Sequence, residues 1–189
     1  MNARLLLATA LLALFTPACA YHGSAKAFRP ERLEAEKGWL FVRDVHVERQ
    51  TTPSNCGAAS LCMVLGHWGA PVTIDEISES LPVETGDGAF SAGEMRDVAR
   101  GHGLHAFVIA GEIRDLQEQL AKNRPVIVGV VKRYSRNRGL AHYEVVVGYD
   151  AARKRIVTLD PAAGWREDSL AGFEKEWEAS GRTTLVAFP

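Results

Sequence analysis

Four residues in this chain have the types and spacing for acyl-transfer chemistry. Cys56 stands between Asn55 and Gly57, where a loop meets an apolar run that reads as a helix. A helix N-terminus offers unpaired N–H groups and partial positive charge. Both favour the thiolate, the nucleophilic form of cysteine. Gly57 lets another chain approach the sulfur without a side chain in the way. His142 opens the run His-Tyr-Glu-Val-Val-Val-Gly-Tyr. A histidine at the mouth of an apolar strand is held rigidly toward a cleft, where it can deprotonate Cys56 and later protonate a leaving amine. Asp160 ends the next strand-like run, in Leu-Asp-Pro-Ala-Ala-Gly. If the two runs pair as a hairpin, its carboxylate can bind the second ring nitrogen and stabilise imidazolium. Gln50 lies in the loop before Cys56, where its amide can donate to an oxyanion together with the Cys56 N–H.

Each residue alone has an ordinary reading. A cysteine is most often buried and structural. A glutamine in a loop is usually solvated, and an aspartate before proline is common in turns. The combination carries the weight.

The elements that must position these residues can be read from periodicity. Trp39 to Val47 alternates as a strand, and Glu48 to Asn55 is a loop in which Pro53 blocks continuation. Cys56 to about Trp68 reads as a buried helix ended near Gly69 and Pro71. Thr73 with Glu76 and Ser91 with Glu94 are capping boxes that start two further helices, with Gly86-Asp87-Gly88 as a turn between them. Leu104 to Ala110 is a strand, and Ile113, Leu116 and Leu120 mark a helix. Val126 to Val131, His142 to Tyr149, Arg155 to Leu159 and Thr183 to Phe188 read as strands, interrupted by one helix from about Ser169 to Ala179. Helices dominate the first half and strands the second. That order predicts an α+β fold, a helical layer packed on a largely antiparallel sheet.

The first nineteen residues read as a signal segment, with Arg4 as its positive end and Leu5 to Phe15 as an apolar stretch too short to span a bilayer. Two processing routes remain open. Ala18-Cys19-Ala20 is an A-x-A-like cleavage site, and Thr16-Pro17-Ala18-Cys19 resembles a lipobox that would place lipid on Cys19. Either route exports the domain. In the lipidated case Ala20, rather than an aspartate, follows Cys19, which points to a periplasm-facing, outer-membrane lipoprotein. Residues 20–37 are polar, with little periodicity, and read as a tether; residues 38–189 form the folded domain. Cys56 and Cys62 then remain in an oxidising compartment. They are too differently directed on one helix to bridge, so at least one is expected to be chemical.

The formal net charge is −1, from 22 Lys and Arg against 23 Asp and Glu. No basic cluster supplies the footprint that nucleic acid requires. His102 and His105 do not combine with the cysteines into a zinc pattern. No metal and no cofactor is expected.

Gln50-x5-Cys56-Gly57-Ala58-Ala59-x-Leu61-x-Met63 resembles the nucleophile motif of the bacteriocin-processing, double-glycine leader peptidases. His142-Tyr-x-Val-Val-Val-Gly-Tyr-Asp150 is similar to that family's histidine motif, and Asp160-Pro161-x-x-Gly164 to its aspartate motif. The resemblance implies a papain-like fold, a Cys56-His142-Asp160 triad, Gln50 in the oxyanion hole, and cleavage of peptide or protein substrates after small residues. The chain departs from the pattern in Asn55, where the family often has aspartate, and in Glu144, where an apolar residue is usual. The best-known members are cytoplasmic domains of peptide-exporting transporters, whereas this chain reads as an exported, stand-alone member. Two other functions compete: a peptide-docking module that keeps the fold without turnover, and a different Cys-His enzyme of amidase or transglutaminase-like type.

Overall fold

The apolar runs of the second half fold as one antiparallel sheet in the computed structural model, which describes residues 23–80, 90–135 and 138–189. Its strands are β1 (Lys26–Ala27), β2 (Trp39–Phe41), β3 (His105–Ala110), β4 (Val126–Ser135), β5 (Arg138–Asp150), β6 (Arg155–Asp160), β7 (Gly164–Ser169) and β8 (Thr183–Phe188). The order across the sheet is β1-β7-β6-β5-β4-β8-β3, and β2 also pairs with β5. Every described pairing is antiparallel. The long β4–β5 hairpin sets Val130 opposite His142 and Val128 opposite Glu144.

The helices are α1 (Glu31–Ala35), α2 (Cys56–His67), α3 (Ile74–Glu79), α4 (Ala92–Gly101), α5 (Ile113–Ala121) and α6 (Leu170–Glu178). In α2 every residue from Cys56 to Leu65 is buried. A helix apolar all round belongs inside a core, and α2 lies against β5, β4, α3 and α4. Leu61 and Leu65 have no exposed surface; burying each such side chain contributes about 1.5–3 kcal/mol. That anchoring fixes where the first turn of α2, and hence Cys56, points. Both expected capping boxes form: Thr73 Oγ1 accepts from the Glu76 amide, and Ser91 Oγ from the Glu94 amide, each at 3.2 Å.

The α+β architecture matches the expectation, with differences in detail. Residues 23–37 were expected to be a tether, yet they hold β1 and α1. Phe28 and Leu33 are buried, and the Phe28 amide donates to the Trp165 carbonyl at 3.0 Å. Two apolar side chains spaced five apart leave no clear period, but they suffice to dock a short segment on an existing edge. β7 was not expected at all. Its sequence Gly-Trp-Arg-Glu-Asp-Ser is polar, and it becomes a strand because the turn after Asp160, with Gly164 at φ +80°, folds it back along β6. β2 is shorter than the expected strand and stops at Phe41, while β4 and β5 extend further than the apolar runs alone. The Gly86–Gly88 turn and residues 1–22, including Cys19, lie outside the described residues. Among the described residues, no helix is long and apolar enough to cross a membrane.

Candidate active site

Cys56 is the first residue of α2, and no side chain caps that helix. Asn55, at the cap position, instead turns its side chain back into the loop. Its Oδ1 accepts from the Thr51 and Thr52 amides, both at 3.2 Å, and its Nδ2 donates to Thr51 Oγ1 at 2.8 Å. The loop is thus braced while the helix N-terminus faces the sulfur. Cys56 is buried.

His142 and Asp160 come from neighbouring strands. The β5–β6 ladder pairs Val145 with Leu159, so one step further sets Asp160 level with Glu144 and diagonal to His142. The ring nitrogen Nε2 of His142 lies 2.8 Å from Asp160 Oδ1. That oxygen also accepts from the amides of Ala162 at 2.7 Å and Ala163 at 3.2 Å. With Nε2 engaged, Nδ1 is the nitrogen left for the hydrogen bond between His142 and Cys56.

The electrostatics follow from these contacts. Burial raises the Cys56 thiol, but the hydrogen bond and charge of His142 and the amides of Tyr143 and Gly57 outweigh it, leaving the thiol below its ordinary value. Burial alone would lower His142; hydrogen bonds to Asp160 and Cys56 instead raise it to about 10. Burial opposes the charge on Asp160, yet His142 and the Ala162 amide hold its carboxyl down at about 2. The directions favour charge on Cys56 and His142 together, with the Asp160 carboxylate bracing the ring. Cys62, by contrast, is pushed up to about 12, chiefly by burial, and packs as a small hydrophobe.

Gln50 is half-buried. Its backbone N–H donates to the Pro161 carbonyl at 3.1 Å, which ties its loop to the turn after Asp160. Its Nε2 donates to the Thr52 carbonyl at 3.0 Å, and an amide nitrogen has a second proton to offer. Gln50, His142 and Asp160 line one cleft of about 380 Å³, together with Pro53, Leu140 and Arg133. Gly57, the residue after Cys56, is closely packed. A Cβ built on Gly57 would meet Met95 Sδ at 3.1 Å, Phe90 Cβ at 3.3 Å and Tyr143 Cδ2 at 3.4 Å.

The structure thus brings Cys56, His142, Asp160 and Gln50 to one place, and keeps Cys62 apart from it. His102 and His105 are exposed, and His67 Nε2 sits 2.9 Å from the Asn123 carbonyl oxygen. Sequence reasoning did not single out Phe90 and Met95, which lie a helix and a loop away from Gly57 in the chain. It also missed Arg49, whose Nη2 donates to the Ala162 carbonyl at 2.6 Å and steadies the Asp160 turn.

Residues 42–185 match the Peptidase C39-like family. The transport/processing ATP-binding protein ComA of Streptococcus pneumoniae is 30% identical over 144 residues, which is 75% of this chain and 18% of that protein. The chain therefore spans less than a fifth of this relative's length. The peptidase domain of Streptococcus ComA, a bifunctional ABC transporter, superposes with a TM-score of 0.62 at 24% identity, covering 76% of this chain and 99% of that domain. A double glycine motif protease from an AMS/PCAT transporter, solved with its leader peptide, superposes with a TM-score of 0.61 at 25% identity, covering 79% and 94%. The chain thus belongs to the Peptidase C39-like family.

Proposed function

We propose that Cys56, His142 and Asp160 form the catalytic triad and cleave peptide bonds after small residues, with Gln50 and the Cys56 N–H as oxyanion donors. The observation that carries this reading is the alignment of the three side chains: Cys56 against His142, and His142 Nε2 at 2.8 Å from Asp160 Oδ1. The Cys56 thiolate attacks the scissile carbonyl carbon and forms a tetrahedral oxyanion. The imidazolium of His142 gives its proton to the leaving amine as the C–N bond breaks, leaving a thioester on Cys56. His142, now neutral, takes a proton from water, whose oxygen attacks the thioester. The carboxylic acid product departs and Cys56 returns as the thiolate beside imidazolium. Asp160 holds the ring in register throughout.

The leaving amine must lie beside His142, so the cleft lined by His142 and Gln50 takes the residues after the cut. We assign the residues before the cut to the side of Gly57, where close packing by Phe90 and Tyr143 leaves little room and favours Gly or Ala. The chain's likeness to a protease solved with a leader peptide supports a peptide substrate. Export, with lipid on Cys19 facing the periplasm from the outer membrane, completes the proposal; mass spectrometry of the mature N-terminus checks it, an unmodified Tyr21 start indicating simple secretion.

The mechanism is tested by alkylation with iodoacetamide at mildly acidic pH, followed by peptide mapping. Rapid modification of Cys56 that is lost in His142→Ala is the expected result. Slow, His142-independent modification would instead indicate a docking module with an ordinary thiol.

A further inference from the structure

Alternation along β5 places Leu140, His142 and Glu144 on one face. Glu144 is 1% exposed. Its carboxylate, a His142 ring nitrogen and an Asp160 carboxylate oxygen all lie within 4.8 Å of one another. Two carboxylates therefore flank one imidazole. Burying a carboxylate is costly unless a counter-charge accompanies it. Here the counter-charge is Lys132 of β4, whose Nζ lies 2.9 Å from Glu144 Oε1 and 2.5 Å from Glu176 Oε2 of α6.

One ammonium thus faces two buried carboxyl groups. Burial raises the Glu176 carboxyl, and the negative charges of Glu144 and Asp168 add to it despite Lys132. Asp168, from β7, is itself held by the Ser24 hydroxyl at 2.7 Å. Glu144 is the member of this cluster that lies beside the His142 ring, and Lys132 ties it to Glu176 behind. The titratable groups around the ring are Cys56 from α2, Asp160 from β6 and Glu144 from β5, with Lys132, Glu176 and Asp168 behind them.

We propose that Glu144, held by Lys132, is a positioning residue for His142: a second carboxylate that fixes the imidazolium and keeps its ion pair with Cys56 charged to higher pH. This rests on the catalytic reading of Cys56 and His142. A negative charge near the ring favours its charged form, so it extends the pair upward in pH. Glu144→Gln keeps the shape and removes the charge.

The test is a titration of the His142 ring by ¹⁵N NMR, assigned by loss of the signal in His142→Ala, together with the pH profile of kcat/KM on a peptide. Glu144→Gln is expected to lower the ring pKa and the alkaline limb of kcat/KM together, by about one unit, with kcat falling more than KM changes. A merely structural role would lower Tm and leave the ring titration in place; that outcome overturns the proposal. If Glu144→Gln does not fold, Glu144→Met combined with Lys132→Met and Glu176→Gln carries the same prediction, because it removes the buried ammonium together with both carboxyl groups that it faces. The ring titration needs no turnover. An active Cys56→Ala enzyme would overturn the catalytic reading while the titration still judged Glu144 independently.

Discussion

His142 Nε2 and Asp160 Oδ1 stand 2.8 Å apart with side chains only 9% and 12% exposed, on strands adjacent in the sheet. The bond joins two groups whose protonation opposes: Asp160 is held down at about 2 and His142 up at about 10. Their contribution to stability is therefore bounded on both sides. The Asp160 part is present above its ordinary value of 3.8 and is lost as pH falls through about 2. The His142 part is fully present below 6.5 and is lost as pH rises through about 10. Tm of the native protein minus that of Asp160→Asn should be largest between these limits and shrink toward both extremes. A difference independent of pH would mean the pair is not ionic.

Cys56→Ala should abolish turnover and leave the fold intact, since only one side-chain atom is lost. Cys62→Ala should keep most activity and cost ~1 kcal/mol in a denaturant melt, the usual scale for a small core truncation. Activity surviving in Cys56→Ala but not in Cys62→Ala would reverse the assignment of the nucleophile.

His142→Ala should be nearly as damaging as Cys56→Ala, because the two act as a unit and their losses do not add. Asp160→Asn should hurt less: it removes charge and orientation but keeps the base. Steady-state kcat/KM of the single and double variants reads this directly.

Gln50→Ala should lower kcat by about 10²–10³ with a small change in KM, the cost of one oxyanion donor. The backbone bond from Gln50 to Pro161 survives the substitution, so the loop stays in place. A normal kcat would remove Gln50 from the site.

Peptides varied only at the residue before the cut should lose kcat/KM steeply from Gly or Ala to Leu or Phe, because a steric wall rejects bulk more sharply than a pocket rewards it. Gly57→Ala tests the same wall from the protein side. Its Cβ would press on Met95, Phe90 and Tyr143, at a cost of about 1–3 kcal/mol in stability. Equal cleavage after Leu would remove the small-residue preference and leave the cysteine mechanism intact.

What the sequence determined by itself was local. A helix beginning at Cys56, two capping boxes, and consecutive strands carrying His142 and Asp160 all follow from periodicity and neighbouring residue types, although β5 starts at Arg138, so His142 lies inside its strand rather than opening it. Those depend on interactions within a turn or a strand. The tertiary structure decided what depends on distant partners. Residues 26–35 became β1 and α1 because an edge of the sheet and its core were there to receive Phe28 and Leu33. Polar β7 became a strand because β6 offered it a ladder. Glu144 stands out in the sequence only as a departure from the family motif, and nothing local joins it to Lys132 or Glu176. The three form one buried charge cluster because β4, β5 and α6 meet there, and the energy of a buried charge is set by what surrounds it in space.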